Sequence, residues 1–186
     1  MASFDVDALL DPLSGDHPCG DADLEYDDTF LALEEAARGR PEQQYGDTVI
    51  PAEDPDWARM RGLALTLFGR TRDLRVAMHL IRAGLRTEGL GALADGLRLL
   101  HGLLADHWEA VWPRLDADDG NDPFARLNAL APLNDPTTVL ADVRAARLPG
   151  DRTGVTGRML ELASGRAQAD AGESVPVAAS LAGVLR

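Results

Sequence analysis

Between Leu74 and Leu104 apolar side chains recur at spacings of three and four residues, and only Gly89 interrupts the run. Leu74, Ala77, Met78, Ile81 and Leu85 form one stripe. Leu90, Leu93, Leu97, Leu100 and Leu104 form the next, which continues in register through Trp108 to Val111. A period near 3.6 lines apolar groups along one side of a helix, whereas a strand alternates every second residue. No alternating stretch of useful length occurs in the chain. These facts point to an all-α fold, an irregular bundle of about seven helices with an extended acidic N-terminal arm. Leu99 and Leu103 widen the second stripe and place that helix centrally, touching neighbours on two sides.

Local punctuation sets the other boundaries. Asp27 or Asp28 caps a first helix to about Arg38, with Phe30, Leu33 and Ala37 on one side; Gly39 and Pro41 stop it. Residues 39–54 read as an acidic loop, with Thr48-Val49-Ile50 its only β-leaning triplet. Asp54-Pro55 supplies an N-cap and a first-turn proline for a helix through Trp57, Met60, Ala64 and Leu67. Gly69 ends it. Thr71 or Asp73 starts the Leu74 stripe, and Pro113 ends the long one. Pro123 opens a short helix to about Leu130, Asp135-Pro136 another to about Ala146, and Thr156 a last one through Leu162. Residues 165–176 have linker composition, and 177–186 resemble the start of a further helix. The expected domains are an acidic arm over 1–26 packing on a helical domain over 27–164. A linker and the start of a truncated following region occupy 165–186.

Charge separates the arm from the body. The 186 residues carry 31 Asp+Glu and 18 Lys+Arg, a net of −13, and every cation is Arg. Residues 1–56 hold 16 acidic residues and 2 Arg, a net of −14; the remainder holds 15 and 16, a net of +1. Such a surface repels phosphate backbones and anionic lipid, so neither a nucleic-acid partner nor direct membrane insertion is expected. The single Cys19 forms no internal disulfide, and the first ten residues lack the cationic start of a secretory signal. A bacterial cytoplasmic protein is the expectation. Five Arg (Arg70, Arg72, Arg75, Arg82 and Arg86) follow within 70–86. Two readings stay open: a solvated leader, or a leader docked on its own helices by Asp27 and Asp28 pairing with Arg72 or Arg75.

Tests for chemistry are negative. Asp116–Asp122 has the composition of a calcium loop, but Gly120 falls fifth and Leu127 twelfth, where an EF-hand needs Gly sixth and Glu twelfth. His17, His79, His101 and His107 show no zinc spacing. Gly89-Leu-Gly91-Ala-Leu-Ala94 fits a dinucleotide fingerprint but follows a helical pattern, so close helix packing through small residues is the better reading. No nucleophile elbow exists, and Cys19 sits in an acidic turn that disfavours a thiolate. The sequence offers no catalytic residue, no metal ligand set and no cofactor site.

An ordered set of short motifs is more specific. It begins with Gly20, Asp23-Leu24, Tyr26-Asp27 and Phe30, followed by Asp56-Trp57 and then Asp73-Leu74-Arg75. It closes with the Leu-rich helix to Trp108 and with Asp122-Pro123-x-x-Arg126. The set resembles the ImpA amino-terminal domain of the TssA-like proteins of bacterial type VI secretion, over residues about 9–165. Arg72 stands where that family has Lys, and 148–155 lacks the apolar-basic segment expected there. The resemblance implies a non-enzymatic structural or adaptor role in assembly, with baseplate, sheath or tube proteins as partners and self-association as a further property. It also implies cytoplasmic residence with recruitment to the inner-membrane complex, and ring-forming carboxy-terminal domains that are absent here. Tyr26, Phe30, Trp57 and Trp108 are expected as core or docking anchors. Asp73 and Arg126 are expected to cap and bridge helices, and Gly20 to serve turn geometry. Two other functions stay open: a small metal-dependent enzyme using the acidic arm, and a plain dimerisation scaffold.

Overall fold

The two strongest apolar periods become the two longest helices. A computed structural model describes residues 4–40, 42–46, 48–150, 153–170, 172–176 and 181; apart from Leu181, the helical start expected over 177–186 lies outside them. The described helices are α1 (Val6–Leu10), α2 (Asp28–Arg38), α3 (Trp57–Phe68), α4 (Leu74–Glu88), α5 (Leu90–Asp106), α6 (Phe124–Leu130), α7 (Val139–Ala145) and α8 (Gly157–Ala163). A 3-10 turn spans Ala131–Asn134, and the only described sheet is an antiparallel ribbon of β1 (Gln43–Tyr45) and β2 (Thr48–Ile50). The all-α class and the irregular bundle stand.

The central helix is α4. It packs against α3, α5, α6 and α7, and Leu74, Val76, Ala77, Met78, Leu80, Ile81, Ala83, Gly84 and Leu85 are all buried. Fully burying a Leu or Ile contributes about 1.5–3 kcal/mol, so this helix dominates the core. The sequence reading had placed α5 there. On α5 the buried side is Ala92, Gly96, Leu99, Leu100, Gly102 and Leu103, while Leu97 stays 43% exposed. The Leu99–Leu103 set is thus the centre of the face rather than its margin. Small residues do mediate the contact, but not Gly91, which is exposed with open space around it. Gly96 carries it instead: a Cβ there would lie 2.6 Å from Ile81 Cγ1.

Several boundaries move for identifiable reasons. Asp56, not Asp54, caps α3 by accepting from the Arg59 amide at 3.0 Å; Asp54 reaches Arg86 at 2.9 Å. Asp135 accepts from both the amide and the hydroxyl of Thr137, which delays α7 to Val139. α5 ends at Asp106; Trp108 and Val111 keep the period but lie in a turn whose amides bond to His107 O. The arm is not wholly extended. Asp5 caps α1, α1 packs on α5, and His107 Nε2 meets Leu10 O at 2.8 Å. The segment after α7 closes with an antiparallel Arg147–Thr156 bridge.

Candidate functional site

The motif residues converge where the arm meets the start of α4. Gly20 has φ +97, and a Cβ there would lie 2.6 Å from Arg70 O. Only glycine combines this left-handed conformation with so close a backbone approach. The arm therefore lies directly on the 70–72 segment between α3 and α4: the Arg72 amide donates to Cys19 O at 3.0 Å and the Thr71 hydroxyl to the same oxygen at 3.4 Å. On its far side the segment pairs with the turn after α5. The Leu74 amide donates to Trp112 O and the Trp112 amide to Arg72 O, at 2.8 and 3.0 Å. Gly20→Val is expected to destabilise by about 2–4 kcal/mol through backbone strain and overpacking, read as a lowered urea midpoint with early cleavage of the arm.

Ion pairs complete the docking. Arg75 donates to Asp23 at 2.6 Å, to Asp73 at 2.7 Å and to Glu25 at 3.4 Å, with its guanidinium 4.9 Å over the Phe30 ring. Burial works against the charge of Arg75, but Asp73 and Asp23 outweigh it and raise its pKa. Asp73 also caps α4 through the Arg75 amide. Asp27 caps α2 through the Thr29 amide and pairs with Arg70 at 2.7 Å. The leader thus docks on its own helices, but with different partners from those expected. Asp27 takes Arg70, Asp28 is exposed at the start of α2, and Arg72 takes backbone carbonyls. Arg72 is 3% exposed and donates to Phe68 O, to Thr71 O at 3.3 Å and to Asp11 O at 2.6 Å.

Asp27 gives this docking an acid limit. The hydrogen bond from Arg70 and then the Thr29 amide lower its pKa from 3.8 to about 2. A lowered folded pKa favours the ionised form, so the contribution is complete above 3.8 and is lost as pH falls toward 2. Pepsin should therefore cut the arm faster as pH drops through that window, and Asp27→Asn should flatten the dependence.

A second clamp lies behind the first. Asp122 accepts from the Phe124 amide at 2.9 Å in a turn just ahead of α6, and Pro123 stands at the helix N-cap. Arg126 then points inward, 1% exposed, and donates to Trp108 O at 2.5 Å, Pro113 O at 2.8 Å and Val111 O at 3.0 Å. Its guanidinium stacks 4.5 Å from the Trp108 ring. Burial, and secondarily Arg114, lower its pKa. Asp56 and Trp57 act elsewhere: Arg82 and Arg86 lie over the Trp57 ring at 5.3 and 5.0 Å and both reach buried Asp142, tying α3 and α4 to α7.

Of the expected anchors, Phe30 is buried, Trp57 packs on the core from a partly buried position, as the motif residue Leu24 also does, and Trp108 is 38% exposed. Tyr26 is a correction: it is 84% exposed, because capping of α2 by Asp27 turns the preceding residue outward. The sequence reading names Arg70 without giving it a partner, and misses Glu25 and the exposed pair Phe124 (64%) and Leu127 (60%) on α6. Only the i, i+3 spacing of that pair could have marked it, and spacing alone does not separate an inward from an outward face.

The chemistry of the cluster is ionic pairing. Its carboxylates face guanidinium groups, and among the described residues no three or more His, Cys, Asp or Glu are placed to hold a metal ion. Burial raises the Cys19 thiol above its ordinary value, although Arg114, Arg72 and Arg126 pull the other way. A groove of about 730 Å³ runs beside the cluster, lined by Asp23, Glu25, Arg75, Trp112, Arg114 and Asp116 among others. No helix among the described residues is long and apolar enough to cross a membrane.

Comparison with known proteins agrees with the motif set. The family described as ImpA, N-terminal, type VI secretion system, matches residues 10–135. The chain is 56% identical over 130 residues to the type VI secretion system component TssA1 of Pseudomonas aeruginosa PAO1, a match covering 70% of this chain and 38% of that protein. It is also similar to a solved N-terminal domain that includes the conserved ImpA_N region of the TssA component from Burkholderia cenocepacia. There the TM-score is 0.65 at 28% identity, covering 87% of this chain and 58% of that one.

Proposed function

The chain belongs to the ImpA N-terminal family of the type VI secretion system, and we propose that it is a non-enzymatic adaptor domain that docks onto baseplate, sheath or tube proteins during assembly. One observation carries this reading: the ionic motif residues are engaged inside the molecule, whereas Phe124 and Leu127 stand exposed on α6, whose Arg126 stacks on the partly exposed Trp108 ring. Polar groups already paired internally leave little for catalysis, and exposed large apolar side chains are what a docking surface needs. On this reading Gly20, Asp23, Leu24, Asp27, Phe30, Asp56, Trp57, Asp73, Leu74, Arg75, Asp122, Pro123 and Arg126 hold the fold. Tyr26 and Trp108 are available to a partner.

The arm over 1–26 then belongs to the helical unit of 27–164, with 165–186 leading into a following region. The match covers 38% of TssA1; on this proposal the chain is the amino-terminal part of a longer protein whose remaining part forms the ring. It would act in the cytoplasm and be recruited to the membrane complex. The test is a binding panel of purified baseplate, sheath and tube proteins, with a full-length relative as positive control. At least one component should bind, and Phe124→Asp/Leu127→Asp should weaken that binding at least about tenfold, as removal of a central apolar anchor does. A panel that is negative throughout while the control binds would sink the proposal.

A further inference from the structure

Only one side of α6 is used by the fold. Arg126 is its buried residue, and the helix packs on α4 and on the 3-10 turn. Phe124 and Leu127 stand exposed away from these contacts. Along the flank of the helix runs the groove of about 730 Å³, where Ala125, Asn128 and Ala129 line the wall with Trp112 and Pro113. Ala125 and Ala129 lie four residues apart, on one row of the helix surface. Each carries only a methyl group, so a second helix can approach closely there.

Charge selects the occupant. The loop ahead of α6 carries Asp116, Asp118, Asp119 and Asp122, with no cation between Arg114 and Arg126. Asp116 accepts from the Asp118 amide and Asp122 from the Phe124 amide, but among the described residues none of the four has an ion-pair partner. The flanking cations are engaged elsewhere. Arg126 is buried, and Arg114 donates to Ala110 O and lies 4.5 Å over the Trp112 ring. Asp23 and Glu25 in the groove are held by Arg75 and add nothing to this balance. Backbone hydrogen bonds from the Asp116 amide to Asp122 O at 3.2 Å and from the Asn121 amide to Asp116 O at 2.7 Å close the loop on itself. Its charges are thereby held at the start of α6. A two-fold contact between copies through α6 would set two such loops side by side, which like charges oppose. We infer that this face is a docking surface for a cationic amphipathic helix of a partner protein. Its apolar stripe lies on Phe124 and Leu127, and its Lys or Arg residues lie over the 116–122 loop. The inference rests on the reading that α6 meets a partner, and adds the chemistry of that partner.

The test uses the whole chain and a capped helical peptide with leucine along one face and lysine beside it. One control peptide replaces lysine by glutamate; the other reorders the same residues so that no helical face is apolar. The lysine peptide should bind and shift the amide resonances of α6 and of the 116–122 loop. Binding should fall at least about tenfold for either control and for Phe124→Asp/Leu127→Asp. Asp118→Lys/Asp119→Lys should weaken it about tenfold at low salt, mainly through slower association, with the difference shrinking as salt is added and the melting temperature unchanged. Absence of binding, equal binding of either control, insensitivity to Asp118→Lys/Asp119→Lys, or resonance shifts confined to other residues would each overturn the inference. So would a dimer that forms through α6 as concentration rises. The same two variants, measured against the type VI component bound in the panel, separate this inference from the function it rests on. Affinity lowered by Phe124→Asp/Leu127→Asp but untouched by Asp118→Lys/Asp119→Lys refutes the cationic helix and leaves the docking function standing; affinity untouched by both refutes α6 as the docking face.

Discussion

Arg126→Met should lower the unfolding free energy by roughly 3–5 kcal/mol, a large share of the total for a domain of this size. The side chain is buried on the inner side of α6 and donates to Trp108 O, Val111 O and Pro113 O. Methionine fills much of the volume but donates nothing, so three carbonyls lose partners in a site that water does not reach freely. Each such loss costs about 1–3 kcal/mol, reduced where the turn relaxes. Lysine would keep the charge but not the planar fork, and is expected to recover less than half of the loss. Urea unfolding with a fitted slope checks both; equal midpoints for wild type and Arg126→Met would refute the role given to the clamp.

Arg75→Glu should be comparably damaging, by about 3–5 kcal/mol, for a different reason. The Asp73 carboxylate is 1% exposed and depends on Arg75 for its charge partner. Glutamate removes that partner and sets a fourth carboxylate among Asp73, Asp23 and Glu25. The Phe30 ring loses its cation as well. Because the arm meets the body at these same groups, limited proteolysis within 11–27 should accelerate alongside the fall in melting temperature. Unchanged cleavage with an unchanged melt would show that the ion pairs do not dock the arm. Surface pairs of the same length, such as Arg86–Asp54 with its 74% exposed carboxylate, should contribute only about 0–1 kcal/mol when broken.

What the sequence conveyed well was whatever is local. The 3.6 period marks α3, α4 and α5, and a short polar side chain ahead of an apolar run narrows the caps to Asp27 or Asp28, Thr71 or Asp73, and Thr156, of which the structure uses Asp27, Asp73 and Thr156. Asp54 and Asp135 misled because each satisfies the same pattern while its carboxylate is drawn elsewhere, to Arg86 and to Thr137. The long stripe ran on to Val111 since a turn can keep a helical period for a few residues. Leucine on nearly every side of α5 concealed its inward face, which the tight Gly96–Ile81 contact settles.

The same distinction governs the candidate site. Motif spacing brought Asp23, Asp27, Asp73, Arg75 and Arg126 to notice, but pairing across 43 to 52 residues depends on how the arm crosses α4. The charge count leaves attraction between the leader and the Arg-rich stretch as one of two open readings. It could not separate Arg70 from Arg72, since the difference lies in which guanidinium turns inward to backbone carbonyls. The net of −14 over residues 1–56 is therefore partly answered inside the molecule, by Arg70 on Asp27, Arg75 on Asp23 and Arg86 on Asp54.

The central claim is that the internally engaged motif residues build the domain and the exposed side chains bind the partner. The most direct measurement is the affinity and melting temperature of Phe124→Asp/Leu127→Asp, taken together against the type VI component that the wild-type chain binds. The account predicts a wild-type melting temperature and binding weakened at least about tenfold. Full affinity in this variant, with affinity lost instead in a variant of the buried cluster that remains folded, would contradict it.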